Sequence, residues 1–294
     1  MTSPLLTQDE IEELDASVVA ALDARDNSGL NVIGYGELSI ALGYPANDPR
    51  VVCKPTAPYT PAELDDYIQV MSQYLEALAV TGVDVVPTSL MSVERGDHLV
   101  GYQVQPRLDP DSLADKILAA AQPDAEHPFL VALADIVGSL SDRVSIDSQV
   151  SNWSWDGATA TSIDVGTPFF WDEHGAPIYD VKPLFRAIPA PLRTFAMSDV
   201  GKLLERYKQP RNVAADVVAM LGRIGLDQWV QPALVAFNDG LQLDTPIAEA
   251  EAHAIMEADL KAMPRLKKLQ RVERAWVTIA RRRRYNYFVQ PTTY

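Results

Sequence analysis

Cysteine is nearly absent: Cys53 is the single one in 294 residues. That excludes an intrachain disulfide and any cysteine-based zinc cluster. Histidine is scarce as well, with four in the chain. His98, His127 and His174 are scattered. His253 recurs with Glu249 and Glu257 at i, i+4 and i+8 on a predicted helix, a pattern that a solvated polar face explains. No apolar run reaches about 18 residues, so no segment is predicted to span a bilayer. The opening stretch from Met1 to Glu10 has no basic region and no long apolar run, and does not read as a secretory signal. Neither a Gly-x-Ser-x-Gly nor a Walker-type phosphate loop occurs. These absences together lead us to expect a cytoplasmic protein.

Positive charge is in short supply. Against 40 Asp and Glu stand 25 Lys and Arg, for a formal net charge of −15. Such a balance argues against a general nucleic-acid binder, because phosphate backbones are repelled. The basic residues are unevenly placed. Lys261, Arg265, Lys267, Lys268, Arg271, Arg274 and Arg281 to Arg284 crowd the C-terminal end. A tail of this kind is expected to contact either the acidic body of its own chain or an anionic partner, a lipid surface among them.

Periodicity divides the chain near Gln105-Pro106-Arg107. Thr7 to Arg25 is predicted as an amphipathic helix opened by the capping box Thr7-Gln8-Asp9-Glu10. Leu30 to Ile33, Ile40 to Leu42 and Arg50 to Lys54 read as strands. Alternation places Val52 and Lys54 on one face of the third, with Val51 and Cys53 on the other. Thr60-Pro61-Ala62-Glu63 starts a second capped helix, and Val85 to Val93 with His98 to Val104 forms an antiparallel pair. Beyond Pro110 helices dominate: Ser112 to Ala121, Pro128 to Arg143, Pro191 to Lys208, Ala214 to Ile224 and Pro246 to Met263. The expected architecture is α+β, in three parts: an N-terminal helical extension (1–29), a small antiparallel-sheet lobe with one helix (30–105), and a mainly helical lobe (106–294).

The chemistry-bearing residues are few and ordered. Gly34-Tyr35-Gly36-Glu37-Leu38-Ser39 is a glycine turn between strands. Lys54 ends the third strand. Asp147-Ser148-Gln149-Val150-Ser151-Asn152 follows much later, and then a predicted hairpin, Trp153 to Ile163 around Asp156-Gly157, delivers Asp164-Val165-Gly166. Lys, then Asp-x-x-x-x-Asn, then Asp-x-Gly is the layout of a phosphoryl-transfer site, and in these motifs the chain resembles the protein-kinase-like superfamily. It resembles most closely the small-molecule branch, of the aminoglycoside and choline phosphotransferase type. The motif-bearing part runs from about Val32 to Gly166.

That resemblance implies a two-lobed fold and ATP- and Mg²⁺-dependent transfer of a phosphoryl group to a hydroxyl of a small molecule. Gly34, Gly36 and Ser39 would cover the phosphates and Lys54 would clamp them. Asp147 would orient or deprotonate the acceptor, while Asn152 and Asp164 would hold the metal. Leu99 to Gln105, with Gln103 and Gln105, would be the strand and hinge whose main chain meets adenine. Glu76 is the expected acidic helix partner of Lys54, with Glu63 and Asp66 as rivals. Departures point to alternatives. Ser145 stands where the family has a bracing His, and Gln149 stands where a cation is usual; both fit an inactive, pseudokinase-like nucleotide binder. A nucleotidyl transferase on the same fold is a further alternative. No Ala-Pro-Glu follows Gly166, which argues against a protein substrate.

Overall fold

The structure, a computed structural model, describes residues 5–36, 40–183, 190–282 and 284–288. Helix α1 (Gln8–Ala24) opens with the expected capping box: the Thr7 hydroxyl accepts from the Glu10 N–H, and the Glu10 carboxylate accepts from the Thr7 N–H. Strands β1 (Asn31–Tyr35), β2 (Ile40–Tyr44) and β3 (Val51–Tyr59) lead to α2 (Pro61–Val80), which has its own Thr60–Glu63 capping box and a proline in its first turn. A short β4 (Asp84–Val85) precedes β5 (Ser89–Arg95) and β6 (His98–Pro106). Five of these strands form one antiparallel sheet in the order β1-β2-β3-β6-β5.

The two faces of that sheet have different fates. Val51, Cys53, Val100, Tyr102 and Val104 pack under Ile11, Leu14 and Val18 of α1 in a separate apolar cluster. Val52 and Lys54, on the opposite face of β3, line a cleft. Period-two alternation therefore sorts this strand as its sequence implies.

The second lobe carries α3 (Ala114–Ala120), α4 (Pro128–Ser139), the hairpin β7 (Trp153–Trp155) and β8 (Ala160–Ser162), then α5 (Ala190–Tyr207), α6 (Pro210–Arg223), α7 (Val230–Leu241) and α8 (Glu249–Ala275). Asp156 closes the β7–β8 turn by accepting from the N–H groups of Ala158 and Thr159 at 2.9 and 2.7 Å, and Gly157 takes the positive φ of 99° there. The large core joins α2 to α4, α6 and α7 through Tyr74, Leu78, Leu133, Val217 and Phe237. Among the described residues no helix is long and apolar enough to cross a membrane.

Three expectations are corrected. The single strand expected over Val85 to Val93 is interrupted at Pro87, which lacks an N–H for a ladder. Its first part, β4, instead pairs in parallel with β8 of the other lobe. Helix α7 was not foreseen. Helix α8 runs through Pro264 as far as Ala275, well past the expected end at Met263.

Candidate functional site

The cleft lies between the sheet and the helical lobe and has a volume of about 840 Å³. Its walls include Gly34, Gly36, Lys54, Gln103, Gln105, Asp147, Gln149, Asn152 and Asp164. Residues from β1, β3, β6, the loop after α4 and the loop after β8 thus meet at one concave surface. Ser39 falls outside the described residues.

Lys54 is placed by β3, and its side chain is only 16% exposed. It donates to the Ile163 carbonyl at 3.2 Å and forms an ion pair with Asp164 Oδ2 at 3.3 Å. Asp164 follows β8 directly. Its Oδ1 accepts from the Gly166 N–H at 3.0 Å, a local turn that orients the carboxylate. A Cβ on Gly166 would lie 3.2 Å from Asp164 Oδ1 and 3.4 Å from Gln103 Nε2, so glycine is what lets this turn sit against β6. Gly34 is different. A Cβ there would meet nothing within 4 Å, so the fold's own packing does not demand glycine, and the strand keeps an open surface toward the cleft.

Asn152 is the last residue of a short 3-10 turn, Val150–Asn152, and Asp147 lies in the loop that leads into it. Asp147 is half-buried and accepts from the Gln149 N–H at 2.9 Å and from the Gln149 side chain at 3.4 Å. The Asn152 carbonyl accepts from the Ile163 N–H at 2.9 Å, which ties the loop to the strand that delivers Asp164. No hydrogen bond occupies the Asn152 side-chain amide among the described residues. The loop is clamped from two sides. Tyr74 of α2 donates to the Ser145 carbonyl at 2.7 Å, and the Tyr207 and Ser148 hydroxyls pair at 2.7 Å. The Ser145 N–H also donates to the Phe169 carbonyl at 2.9 Å. Tyrosine hydroxyls and main chain therefore hold this loop.

Two site expectations are overturned. Glu76 is exposed on α2 and is not the partner of Lys54, because its position on the helix turns away from the buried stripe of Leu64, Tyr67, Met71, Tyr74 and Leu78. Nor do its rivals take that part among the described residues. Glu63 is engaged in the cap of α2, and Asp66 is exposed. The helix residue that reaches the site is Tyr67, whose apolar ring concealed it within a core stripe. The segment Leu99 to Gln105 also contains no hinge. Gln103 pairs with Lys54 on one side and Leu90 on the other, so its main chain is committed to the sheet. Gln105 pairs with Val52, and its side chain donates to the Thr88 hydroxyl at 2.9 Å. The link between lobes follows Pro106, the last residue of β6, and Pro106, Arg107 and Leu108 line the cleft.

A family model described as "Family of unknown function (DUF6206)" matches residues 13–285. The chain belongs to DUF6206. No curated protein matches it. Among solved structures, one described as the GDP and kanamycin complex of APH(2")-IIia is 11% identical with a TM-score of 0.36, covering 79% of this chain and 99% of that one. A second, WbdD, is 15% identical with a TM-score of 0.33, covering 76% of this chain and 48% of that one. Likeness this loose places no residue of this DUF6206 chain. The architecture itself, a small antiparallel sheet with one capped helix joined to a mainly helical lobe, is a two-lobed α+β arrangement.

Proposed function

We propose that this chain is an ATP- and Mg²⁺-dependent phosphotransferase acting on a hydroxyl of a small molecule. The observation that carries the reading is the Lys54–Asp164 pair at 3.3 Å, formed across the lobes at a cleft that Asp147 and Asn152 also line. A cation and oxygen ligands on one surface meet the main demand of phosphoryl transfer, which is positioning and charge neutralisation.

Each residue then has a task. Lys54 donates to phosphate oxygens. Gly34 and Gly36 let the β1–β2 turn lie close over them. Asp147 accepts the hydrogen bond of the acceptor hydroxyl and takes its proton as the hydroxyl oxygen bonds the γ-phosphorus of ATP and the bond from that phosphorus to the ADP oxygen breaks, ADP being the leaving group. Asn152 and Asp164 would hold Mg²⁺. One amide and one carboxylate make a hard oxygen donor set that fits this ion, which takes only one or two carboxylates from protein and completes its shell with water and phosphate. When bound, Mg²⁺ supplies neutralisation of phosphate charge. The cleft volume of about 840 Å³ is in the range of small-molecule sites and accommodates a nucleotide with a modest acceptor.

One observation favours a second reading, a nucleotide binder without turnover. Gln149 contacts both oxygens of Asp147, where an acceptor hydroxyl would have to compete.

Melting curves with ATP and Mg²⁺ test binding, and ATP consumption with a panel of hydroxylated metabolites tests turnover. At one hundred times the dissociation constant the nucleotide should add about 2.7 kcal/mol of stability. Asp164→Ala should abolish the Mg²⁺-dependent part of that gain. A wild-type protein that shows no shift with any nucleotide sinks both readings, and a shift without phosphate transfer to any acceptor leaves the second.

A further inference from the structure

Helix α2 turns two buried tyrosines, at i and i+7, toward the two loops that carry Asp164 and Asp147. The Tyr67 hydroxyl accepts from Gln103 Nε2 at 2.5 Å and donates to the Gly166 carbonyl at 3.2 Å. One helical repeat further on, the Tyr74 hydroxyl donates to the Ser145 carbonyl at 2.7 Å. Each bond ends on a main-chain carbonyl two residues from the carboxylate of its loop: Gly166 follows Asp164, and Ser145 precedes Asp147. Burial pushes both phenols well above their usual pKa, so they stay protonated and remain donors.

The chain of donors has a fixed direction. A phenol has one proton, and that of Tyr67 goes to the Gly166 carbonyl. Gln103 must then present its amide N–H, which leaves its Oε1 as a buried acceptor without a hydrogen-bond partner among the described residues. Across the sheet from Gln103 is Lys54, and the ion pair of Lys54 is with Asp164, not with a carboxylate of α2.

We propose that Tyr67 and Tyr74 are positioning residues, and that this neutral relay sets α2 against the metal-side loop and the catalytic loop in place of a lysine–carboxylate pair. The proposal rests on the phosphotransferase reading for its purpose, although the relay can be tested apart from it. Its physical consequence is that α2 is coupled to Asp164 without charge. Among the described residues Lys54 has a single carboxylate, that of Asp164, to leave when a phosphate arrives.

The decisive variant is Tyr67→Phe, which keeps the ring stacked on Tyr59 at 5.5 Å and removes only the hydroxyl. ATP affinity is measured by calorimetry with and without Mg²⁺, and steady-state kinetics where turnover is found. The expected result is a loss of about tenfold in the Mg²⁺-dependent gain in affinity, with metal-free ATP affinity unchanged, as the loss of a buried hydrogen bond implies. Where turnover is found, kcat should fall and the KM of the acceptor stay put. A merely structural role would lower metal-free and metal-dependent binding together, and that outcome overturns the proposal, as does an unchanged Mg²⁺-dependent gain. Should Tyr67→Phe not fold, Tyr74→Phe tests the other arm: faster hydrogen exchange at 145–150 supports the proposal, and unchanged exchange there overturns it. A wild-type protein that binds no nucleotide removes the phosphotransferase reading, and hydrogen exchange then decides the relay. Faster exchange at 163–167 in Tyr67→Phe, and at 145–150 in Tyr74→Phe, supports it. Unchanged exchange in those segments overturns it.

Discussion

The two faces of the five-stranded sheet each hold one Asp paired with a basic residue, and the pairs could hardly be built more differently. Under α1, Arg95 grips Asp15 with contacts of 2.9, 3.0 and 2.5 Å, and Tyr102 adds a 2.8 Å bond to the same carboxylate. Side-chain exposure there is 12% for Arg95 and 6% for Asp15. On the cleft face, Lys54 meets Asp164 through a single 3.3 Å contact, and Asp164 is 31% exposed. The first pair is closed, bidentate and desolvated, so its removal strands a buried charge. The second is loose, one-pronged and open to solvent, so its partners are available to a ligand. A planar guanidinium suits the first task and a mobile ammonium the second. What separates the two pairs is unused bonding capacity facing a cavity, not the presence of opposite charges.

The comparison can be broken from either side. The largest effect is expected from the cleft: Asp147→Asn should lower phosphoryl transfer by about 10²–10⁴-fold, the usual worth of a positioned general base, while sparing the Mg²⁺–nucleotide shift in melting temperature. A variant that still transfers phosphate at the wild-type rate would remove Asp147 from the mechanism. Next comes the closed face. Arg95→Ala should cost about 3–5 kcal/mol in urea unfolding, because Asp15 is left buried and unpaired, and should leave nucleotide affinity untouched below the melting transition. An effect on affinity comparable to that on stability would erase the division between faces.

Smaller effects sharpen the boundary. Arg284 reaches from the C-terminal segment to Asp23 at the end of α1 with bonds of 2.5 and 2.6 Å, but the side chains are 39% and 50% exposed. Arg284→Ala should cost no more than about 1 kcal/mol, reduced further by salt. The Arg284 guanidinium, through its hydrogen bonds to the carboxylate, holds the Asp23 carboxyl below its usual pKa. A depressed carboxyl contributes its stability above the unfolded-state pKa and loses it as pH falls through the folded-state value. Wild type and variant should therefore differ at neutral pH and converge in acid, which denaturation across that range would show. The slightest intervention is chemical. Burial pushes the Cys53 thiol up to about 12, so alkylation of the native protein at mildly alkaline pH should be negligible and should track unfolding when it occurs. Rapid native modification would mean that the closed face is not closed.

The helix caps were legible because they are local. Thr7 with Glu10 and Thr60 with Glu63 satisfy backbone donors within one turn, and no distant residue is needed. The same holds for the β7–β8 turn, where Asp156 and Gly157 suffice, and for the sorting of Val52 and Lys54 from Val51 and Cys53. Helix α7 escaped notice because Val230–Leu241 opens without a side-chain cap, leaving no local start signal. The end of α8 was misjudged because Pro264 ordinarily stops a helix. Glu76 flanks the buried stripe of α2, yet the position that faces the site holds Tyr67, and a tyrosine among Leu64, Val70 and Met71 reads as core.

By itself the amino-acid order settled which chemical groups this chain can bring to a site: Lys54, Asp147, Asn152 and Asp164, with glycines to admit a ligand. It also settled the period and caps of the elements that carry them, since those follow from neighbours within a few residues. Tertiary structure alone decided the pairings. Lys54 meets Asp164 and no acid of α2, Tyr67 and Tyr74 hold the loops, and β4 leaves its expected hairpin for β8. Such choices depend on which surfaces the packed lobes bring within about 3 Å, the range over which hydrogen bonds act, and a linear order carries no record of that distance.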